Sequence, residues 1–212
     1  MFPPLPDFVP GQTGGAISPY NPLVVALILV AVGSIISAIY LLREARDSHG
    51  ADDPKSFSWL FGLIGGFSLL ISGEIFWANW AGFPAAQYTE LFGVAVTLYA
   101  MVMLSAAFVL YTDIDARPFT WLTAISGLVL FQGARAVVDF GLTRAPTVTA
   151  GIWLSTGLAG VLLLPTAYVD DSADARTYLL YLVVGLLVVA AGLTGFMAIE
   201  AHYGHIAEVA GG

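Results

Sequence analysis

The chain has 212 residues, of which 58% are hydrophobic and 10% are charged, and its formal net charge is −8. About a quarter of the residues of a soluble domain are charged, so this composition excludes an ordinary soluble domain. The acidic balance argues against nucleic acid as a partner. Because the chain has no cysteine, disulfides, thiolate metal sites and cysteine nucleophiles are excluded as well.

Six apolar segments are each long enough to cross a hydrocarbon core of about 30 Å at 1.5 Å per residue. They run from Asn21 to Leu42, Phe57 to Trp80, Tyr88 to Tyr111, Phe119 to Phe140, Val148 to Val169, and Tyr178 to Ala201. We therefore predict an all-α bundle of six transmembrane helices over residues 21–201, in contact with the lipid bilayer. Residues 1–20 are predicted to form an irregular outer segment, and residues 202–212 a short outer tail.

The positive charges between the segments predict the orientation of the bundle. The first, third and fifth connections contain Arg43, Arg46, Lys55, Arg117 and Arg176, whereas the opposite side contains Arg144. Lys and Arg are enriched in cytoplasmic loops, so both termini are predicted to lie outside a multi-pass protein of the cell (plasma) membrane.

Aromatic and small residues support this arrangement of spans. Trp59 and Trp121 are predicted at the inner membrane interface, and Trp77 and Trp153 near the outer one, because amphipathic rings prefer the headgroup level. Small residues at a spacing typical of helix packing are predicted to let backbones approach closely. These pairs are Gly62 with Gly66, Ser155 with Ala159, and Ala191 with Gly195.

Ionisable residues inside the spans, together with two histidines just after the sixth span, concentrate towards the predicted outer face. They are Glu74, Glu90, Arg135, Asp139, Glu200, His202 and His205. Such groups are costly in hydrocarbon, so a converging set of them is a hypothesis for a functional site. Glu74 and Arg135 lie at matched depth, about 24–26 Å from the inner boundary. They are predicted to form a structural ion pair if the second and fourth helices touch.

A competing partner for Arg135 is Asp139, four residues further along the same helix. Gln132, Arg135 and Asp139 share one helix face, which is predicted to point into the bundle. Glu74, Glu90 and Asp139 against a single Arg135 leave an excess of acid. We expect that excess to recruit a cation or a proton, unless Glu90 and Asp139 lie high enough to be hydrated.

The C-terminal stretch adds imidazole to this set. His202, His205 and Glu208 follow one another at steps of three residues and would cover one side of a continuing sixth helix. Imidazole and carboxylate together suit a divalent transition metal such as zinc, copper or iron. The predicted metal ligands are His202, His205, Glu208, Glu74, Glu90 and Asp139. The alternative is that the two histidines only provide polarity at the membrane interface.

The segment Ser72-Gly-Glu-Ile-Phe-Trp-Ala-Asn-Trp-Ala-Gly-Phe-Pro84, followed by Gln87-Tyr-Thr-Glu-Leu-Phe-Gly93, resembles a known family. That family consists of small polytopic membrane proteins of unknown function, found mainly in archaea. The resemblance covers residues 72–93, and it implies the same topology without supplying an activity. An acidic residue follows Phe-Gly in the family, where this chain has Val94, so no catalytic residue is transferred.

Two functions of different classes fit these patterns, and a third is weaker. The first is an integral membrane protein that binds a metal cation or a proton at its outer face. The alternative is an accessory or scaffold subunit of a larger membrane complex, respiratory or oxidoreductase, or a homo-oligomer. An intramembrane lipid enzyme would need Glu74 or His202 as its base. No P-loop, serine-nucleophile elbow or zinc-protease signature is present, and no lysine lies within a predicted span to bind retinal.

Overall fold

A computed structural model describes residues 22–46, 54–77, 86–143, 145–169 and 174–210, and of these it describes residues 86–89 and 204–210 by their backbone alone. Six helices account for nearly all of this described part. They are α1 (Pro22–Ala45), α2 (Pro54–Trp77), α3 (Ala86–Thr112), α4 (Arg117–Phe140), α5 (Pro146–Thr166) and α6 (Asp174–Ala210). All six contain a stretch long and apolar enough to cross a membrane. The predicted all-α fold with six membrane-spanning helices is confirmed.

Proline and glycine set several of the helix boundaries. Pro22, Pro54 and Pro146 are the first residues of α1, α2 and α5, where the missing N–H costs no helical hydrogen bond. Gly141 ends α4 with φ of 61°, and its N–H donates to the carbonyl of Val137. A left-handed residue at this position favours glycine, so α4 turns sharply towards α5.

The sixth helix is longer than the sequence predicts. It continues from Asp174 to Ala210, through residues 202–210 that were predicted to be a tail. A helix of that length spans about 55 Å, well beyond a hydrocarbon core of about 30 Å. The helix is therefore longer than a membrane crossing requires. The predicted irregular segment 1–20 lies outside the described residues.

The helices form a closed ring in chain order. Each helix packs against the next along the chain, and α6 closes the ring by packing along α1. The pairs α2–α3, α4–α5 and α1–α6 pack most extensively, whereas α1–α2 and α3–α4 contact each other less. Within the described residues, no Cα atom of α1 lies within 8 Å of one of α4, and the two helices lie on opposite sides of the ring. We call the side where α1 begins and α6 ends the termini side, and the other the far side.

The outer surface of the ring is apolar, as a lipid-facing surface must be. On α1, exposed Ile28, Val32, Ile35 and Ile39 recur at steps of three and four residues, which places them along one face of the helix. The other helices also expose large apolar side chains. Such a surface suits contact with lipid acyl chains. It also explains why many large apolar side chains are exposed rather than buried between helices.

The termini side of the ring is filled by a packed cluster. Phe92 of α3 and Trp153 of α5 meet edge to face, with ring centroids 5.7 Å apart. Ala134 and Val137 of α4 complete the buried contact, and Leu23 of α1 packs against it. Trp153, which is predicted to lie near the outer membrane interface, is buried in this cluster.

Candidate functional site

Glycines bring α4 and α5 into close backbone contact at the middle of the bundle. A Cβ at Gly160 would lie 2.5 Å from the carbonyl oxygen of Thr123, and a Cβ at Gly127 would collide with the carbonyl of Gly157. The Thr123 hydroxyl donates to the Gly160 carbonyl at 3.1 Å. Because α4 and α5 approach so closely, they leave no gap between their backbones at these glycines and together form one side of the ring.

Inside the ring lies a chamber of about 270 Å³ that side chains of all six helices line. At mid-bundle it is bounded by Ser34 of α1, Ser126 of α4 and Thr156 of α5. From there it extends to the far side, where Glu44, Ala116 and Arg176 border it at the helix ends. The remaining lining is mostly aliphatic and aromatic, so the chamber is an apolar space with polar groups at two levels.

The chamber is closed towards the termini side. Leu130 of α4 lines the chamber and also packs against the cluster of Phe92 and Trp153. That cluster fills the ring between α3, α4 and α5. The described residues therefore enclose a blind chamber rather than a channel through the bundle.

An ion pair borders the chamber at the far side. A guanidinium nitrogen of Arg176 lies 2.9 Å from Oε1 of Glu44, and the two side chains are 21% and 28% exposed. Nε of Arg176 also donates to the carbonyl of Thr166 at 3.3 Å. These contacts join the end of α1, the end of α5 and the beginning of α6. The half-buried pair therefore holds three helix ends together at the far-side end of the chamber, which we call its mouth.

Three hydroxyls at the deep end of the chamber have no hydrogen-bond partner among the described residues. They belong to Ser34, Ser126 and Thr156, and their oxygen atoms are buried. Other buried hydroxyls of the bundle do find partners. Thr194 donates to the carbonyl of Ala190 at 2.6 Å, and Ser155 to that of Gly151 at 2.7 Å. Since buried polar groups are normally satisfied, the three chamber hydroxyls need an explanation.

Arg135 is paired as the sequence alternative predicts, but it does not face the bundle interior. Its Nε lies 3.1 Å from Oδ2 of Asp139, with side chains 77% and 51% exposed. Gln132, on the same face, is exposed too. Because α2 and α4 do not contact each other in the described residues, the structure does not bring Glu74 to Arg135. The prediction that this face points inward is wrong, because α4 turns its small residues Ala134 and Val137 inward instead.

The other residues of the predicted outer cluster remain dispersed. Glu74 is half-buried, whereas Glu90, Glu200 and His202 are exposed. Among the described side chains, no group of three or more His, Asp or Glu residues lies close enough to hold a metal ion. The side chains of His205 and Glu208 lie outside the described part.

Sequence reasoning missed the chamber residues. Glu44 follows Arg43 at the end of a span and looks like an ordinary interfacial charge, and Arg176 counts only as a loop cation. Ser34, Ser126 and Thr156 look no different in sequence from Ser72, whose hydroxyl lies 2.6 Å from that of Thr97. Only the arrangement of the ring shows that Glu44, Arg176 and the three hydroxyls border one space.

Comparison with known families shows the family of the chain. A family model described as "Protein of unknown function (DUF981)" matches residues 19–208. The chain belongs to this family. The match extends far beyond residues 72–93, on which the sequence resemblance depended, and confirms membership of a family of unknown function. The archaeal source stays a prediction. Neither the curated proteins nor the solved structures give a match.

Proposed function

We propose that this member of the DUF981 family binds a small lipid-soluble molecule inside the ring of its six helices. The observation that carries the proposal is the blind chamber of about 270 Å³, lined by all six helices. Small-molecule sites are typically concave and mostly apolar, have a few well-placed polar groups, and enclose roughly 300–1,000 Å³. The chamber is close to the lower end of that range and has the same character.

The position of the chamber favours a ligand that partitions into the bilayer. Most of its wall is made of side chains such as Val102, Met103 and Leu163, which gain by contact with an apolar molecule. The less extensive contact between α3 and α4 offers a lateral route from the lipid. A charged molecule would have to lose its hydration over most of the chamber, which is unfavourable.

The ion pair at the mouth gives the site a polar rim. Glu44 and Arg176 both border the chamber and are hydrogen-bonded to each other at 2.9 Å. A polar end of the bound molecule would contact this rim, while its apolar body occupies the interior. The rim thereby sets the direction in which the molecule lies.

The proposal is tested by filling the chamber. Val102 of α3 lines it, whereas Val94 of the same helix is exposed on the surface. Wild type, Val102→Phe and Val94→Phe are purified in mild detergent, and their organic extracts are compared by mass spectrometry. We expect a molecule present in stoichiometric amount with wild type and Val94→Phe. It should be depleted about fivefold or more with Val102→Phe, since overpacking a filled site costs on the order of 1–3 kcal/mol.

Equal recovery from the two phenylalanine variants would contradict the proposal, because lipid held on the outer surface does not depend on the chamber. Thermal unfolding of the three proteins in the same detergent serves as the control for folding. A Val102→Phe protein that unfolds at the temperature of Val94→Phe and still retains the molecule excludes the chamber as the site.

Binding of a metal cation or proton at the termini side remains a separate hypothesis. One observation favours its C-terminal part: the backbone of α6 stays helical through residues 202–210, so the spacing of His202, His205 and Glu208 lies on a helix as the hypothesis requires. Elemental analysis of wild type and of His202→Ala/His205→Ala after purification with added metal tests it. Absence of a transition metal from wild type would leave the accessory-subunit alternative in its place.

A further inference from the structure

We propose that the deep end of the chamber binds an uncharged ring with oxygen atoms on opposite edges, the chemistry of a quinone. This inference rests on the proposed function and specifies the class of the bound molecule. Its basis is the set of unpartnered hydroxyls of Ser34, Ser126 and Thr156, all of which line the chamber. We refer to them as the chamber hydroxyls.

The burial of the chamber hydroxyls points to a ligand rather than to surface polarity. Ser34 is 1% exposed and Ser126 is 5% exposed. A serine or threonine in a helix can bond the carbonyl one turn back, as Thr194 does. The chamber hydroxyls make no such bond, although all three lie within helices. Their unmet hydrogen-bonding capacity would be satisfied by a molecule in the chamber that carries oxygen.

The chamber hydroxyls stand on two walls. Ser126 and Thr156 belong to α4 and α5, which pack closely together. Ser34 belongs to α1, and in the described residues no Cα atom of α1 lies within 8 Å of one of α4. The hydroxyl oxygens are buried in these walls, so a molecule between the walls would meet them on both of its edges once the side chains turn about χ1 to another staggered rotamer. Hydroxyls donate and accept, so they can bind two carbonyl oxygens or two ring hydroxyls.

The walls between the hydroxyls suit a flat ring. Phe61, Tyr99 and Phe119 line the same chamber, and aromatic faces stack on other rings favourably. The Tyr99 hydroxyl donates to the carbonyl of Leu29 at 3.1 Å, which fixes the position of its ring. A plain acyl chain would fill the apolar volume and leave the chamber hydroxyls unpaired. The oxygen atoms of the ligand therefore distinguish a quinone-like ring from an acyl chain.

A matched pair of probes tests the inference directly. Duroquinone and durene share a tetramethylated six-membered ring and differ in the two oxygen atoms of the quinone. Binding of each to the purified protein is measured in mild detergent, with empty micelles as the reference for partition. We expect duroquinone to bind at least about tenfold more tightly, because each hydrogen bond contributes about threefold to tenfold in affinity.

Alanine and valine variants separate the hydroxyls from the cavity itself. Ser34→Ala, Ser126→Ala and Thr156→Val should each lower duroquinone affinity by about threefold to tenfold and leave durene affinity unchanged. Ser68→Ala is the matched control, because Ser68 is another buried hydroxyl without a partner that does not line the chamber. This variant should bind duroquinone as wild type does.

The outcomes distinguish failure of this inference from failure of the proposed function. Equal affinity for duroquinone and durene, or no effect of the three hydroxyl variants, overturns the quinone-class assignment and leaves water as the partner of the hydroxyls. If Val102→Phe still abolishes binding of both probes, the chamber remains a binding site for apolar molecules. If Val102→Phe changes the binding of neither probe, both the quinone-class assignment and the proposed function are wrong.

Discussion

Two ion pairs with similar geometry have different surroundings, and their contributions to stability should differ accordingly. The Arg176–Glu44 pair is half-buried at 2.9 Å, and Arg176 also binds the Thr166 carbonyl. Exposed pairs contribute about 0–1 kcal/mol, and loss of one partner of a fully buried pair costs about 3–5 kcal/mol. We expect Arg176→Ala to lower the free energy of unfolding by an intermediate amount, about 1–3 kcal/mol. Thermal unfolding in detergent measures it.

Arg135→Ala is the matched control for this prediction. Arg135 pairs with Asp139 at 3.1 Å but is 77% exposed, so its replacement should cost less than about 1 kcal/mol. Arg176→Lys should recover only part of the lost stability, because an ammonium group lacks the planar fork of the guanidinium. A larger loss for Arg135→Ala than for Arg176→Ala would show that the half-buried contact is not important for stability.

At the residue scale, the sequence indicated local contacts better than contacts between helices. The pairing of Arg135 with Asp139 follows from a spacing of four on one helix, and it is formed. Pairing of Arg135 with Glu74 required α2 and α4 to be neighbours, which matched depth alone cannot establish. The partner of Glu44 is 132 residues away along the chain. That contact depends on closure of the ring by α1 and α6, for which the sequence has no local signal.

At the element scale, only some small residues provide close packing between helices. Gly66 and Gly195 belong to pairs predicted from their spacing, but an added Cβ at either would meet no atom of the described residues within 4 Å. The closest backbone approaches involve Gly127, Gly157 and Gly160 instead. Spacing of small residues repeats on several faces of these helices, and the face that meets a neighbour is decided by the whole ring.

The α4–α5 contact yields a prediction about stability. In Gly160→Ala the new Cβ would lie 2.5 Å from the backbone carbonyl oxygen of Thr123, and backbone cannot move aside as a flexible side chain can. We expect the variant to lose about 1–3 kcal/mol of unfolding free energy, the usual cost of overpacking. Thermal unfolding in detergent measures this loss. The contact that the new Cβ disturbs is the hydrogen bond from the Thr123 hydroxyl to the Gly160 carbonyl.

Gly192→Ala serves as the control on α6. Among the residues that the structure describes, an added Cβ there would meet no atom within 4 Å. Alanine is more favourable than glycine inside a helix by about 0.5–1 kcal/mol. We expect this variant to be as stable as wild type or more so. Equal unfolding temperatures for Gly160→Ala and Gly192→Ala would mean that α4 and α5 do not approach as closely as described.

At the scale of the whole molecule, hydrophobic length was enough to predict the six helices, because a bilayer allows little besides a continuous apolar helix. The end of α6 was not predicted, since Gly204 and the polar residues after Ala201 resemble a tail in sequence. The backbone nevertheless stays helical to Ala210. The chamber could not be predicted either, because an internal space is a property of how six helices close into a ring.

The orientation of the ring in the membrane is a prediction that only an experiment on the whole molecule can test. The far side contains Arg43, Arg46, Lys55, Arg117 and Arg176, and such an excess of positive charge is retained in the cytoplasm. We therefore expect the mouth of the chamber to face the cytoplasm and both termini to lie outside. The chain contains no cysteine, so single cysteines introduced at Ala51 and at Ala207 report the two sides without background.

In intact cells, a membrane-impermeant thiol reagent should label Ala207→Cys and leave Ala51→Cys unlabelled until the membrane is permeabilised. The reverse pattern would place the termini inside and the chamber mouth outside. Labelling of both positions in intact cells would contradict the alternating topology, since an odd number of spans separates residue 51 from residue 207. The expected result means that a ligand approaching the mouth from water would come from the cytoplasm, and that any other ligand must enter from the bilayer between helices.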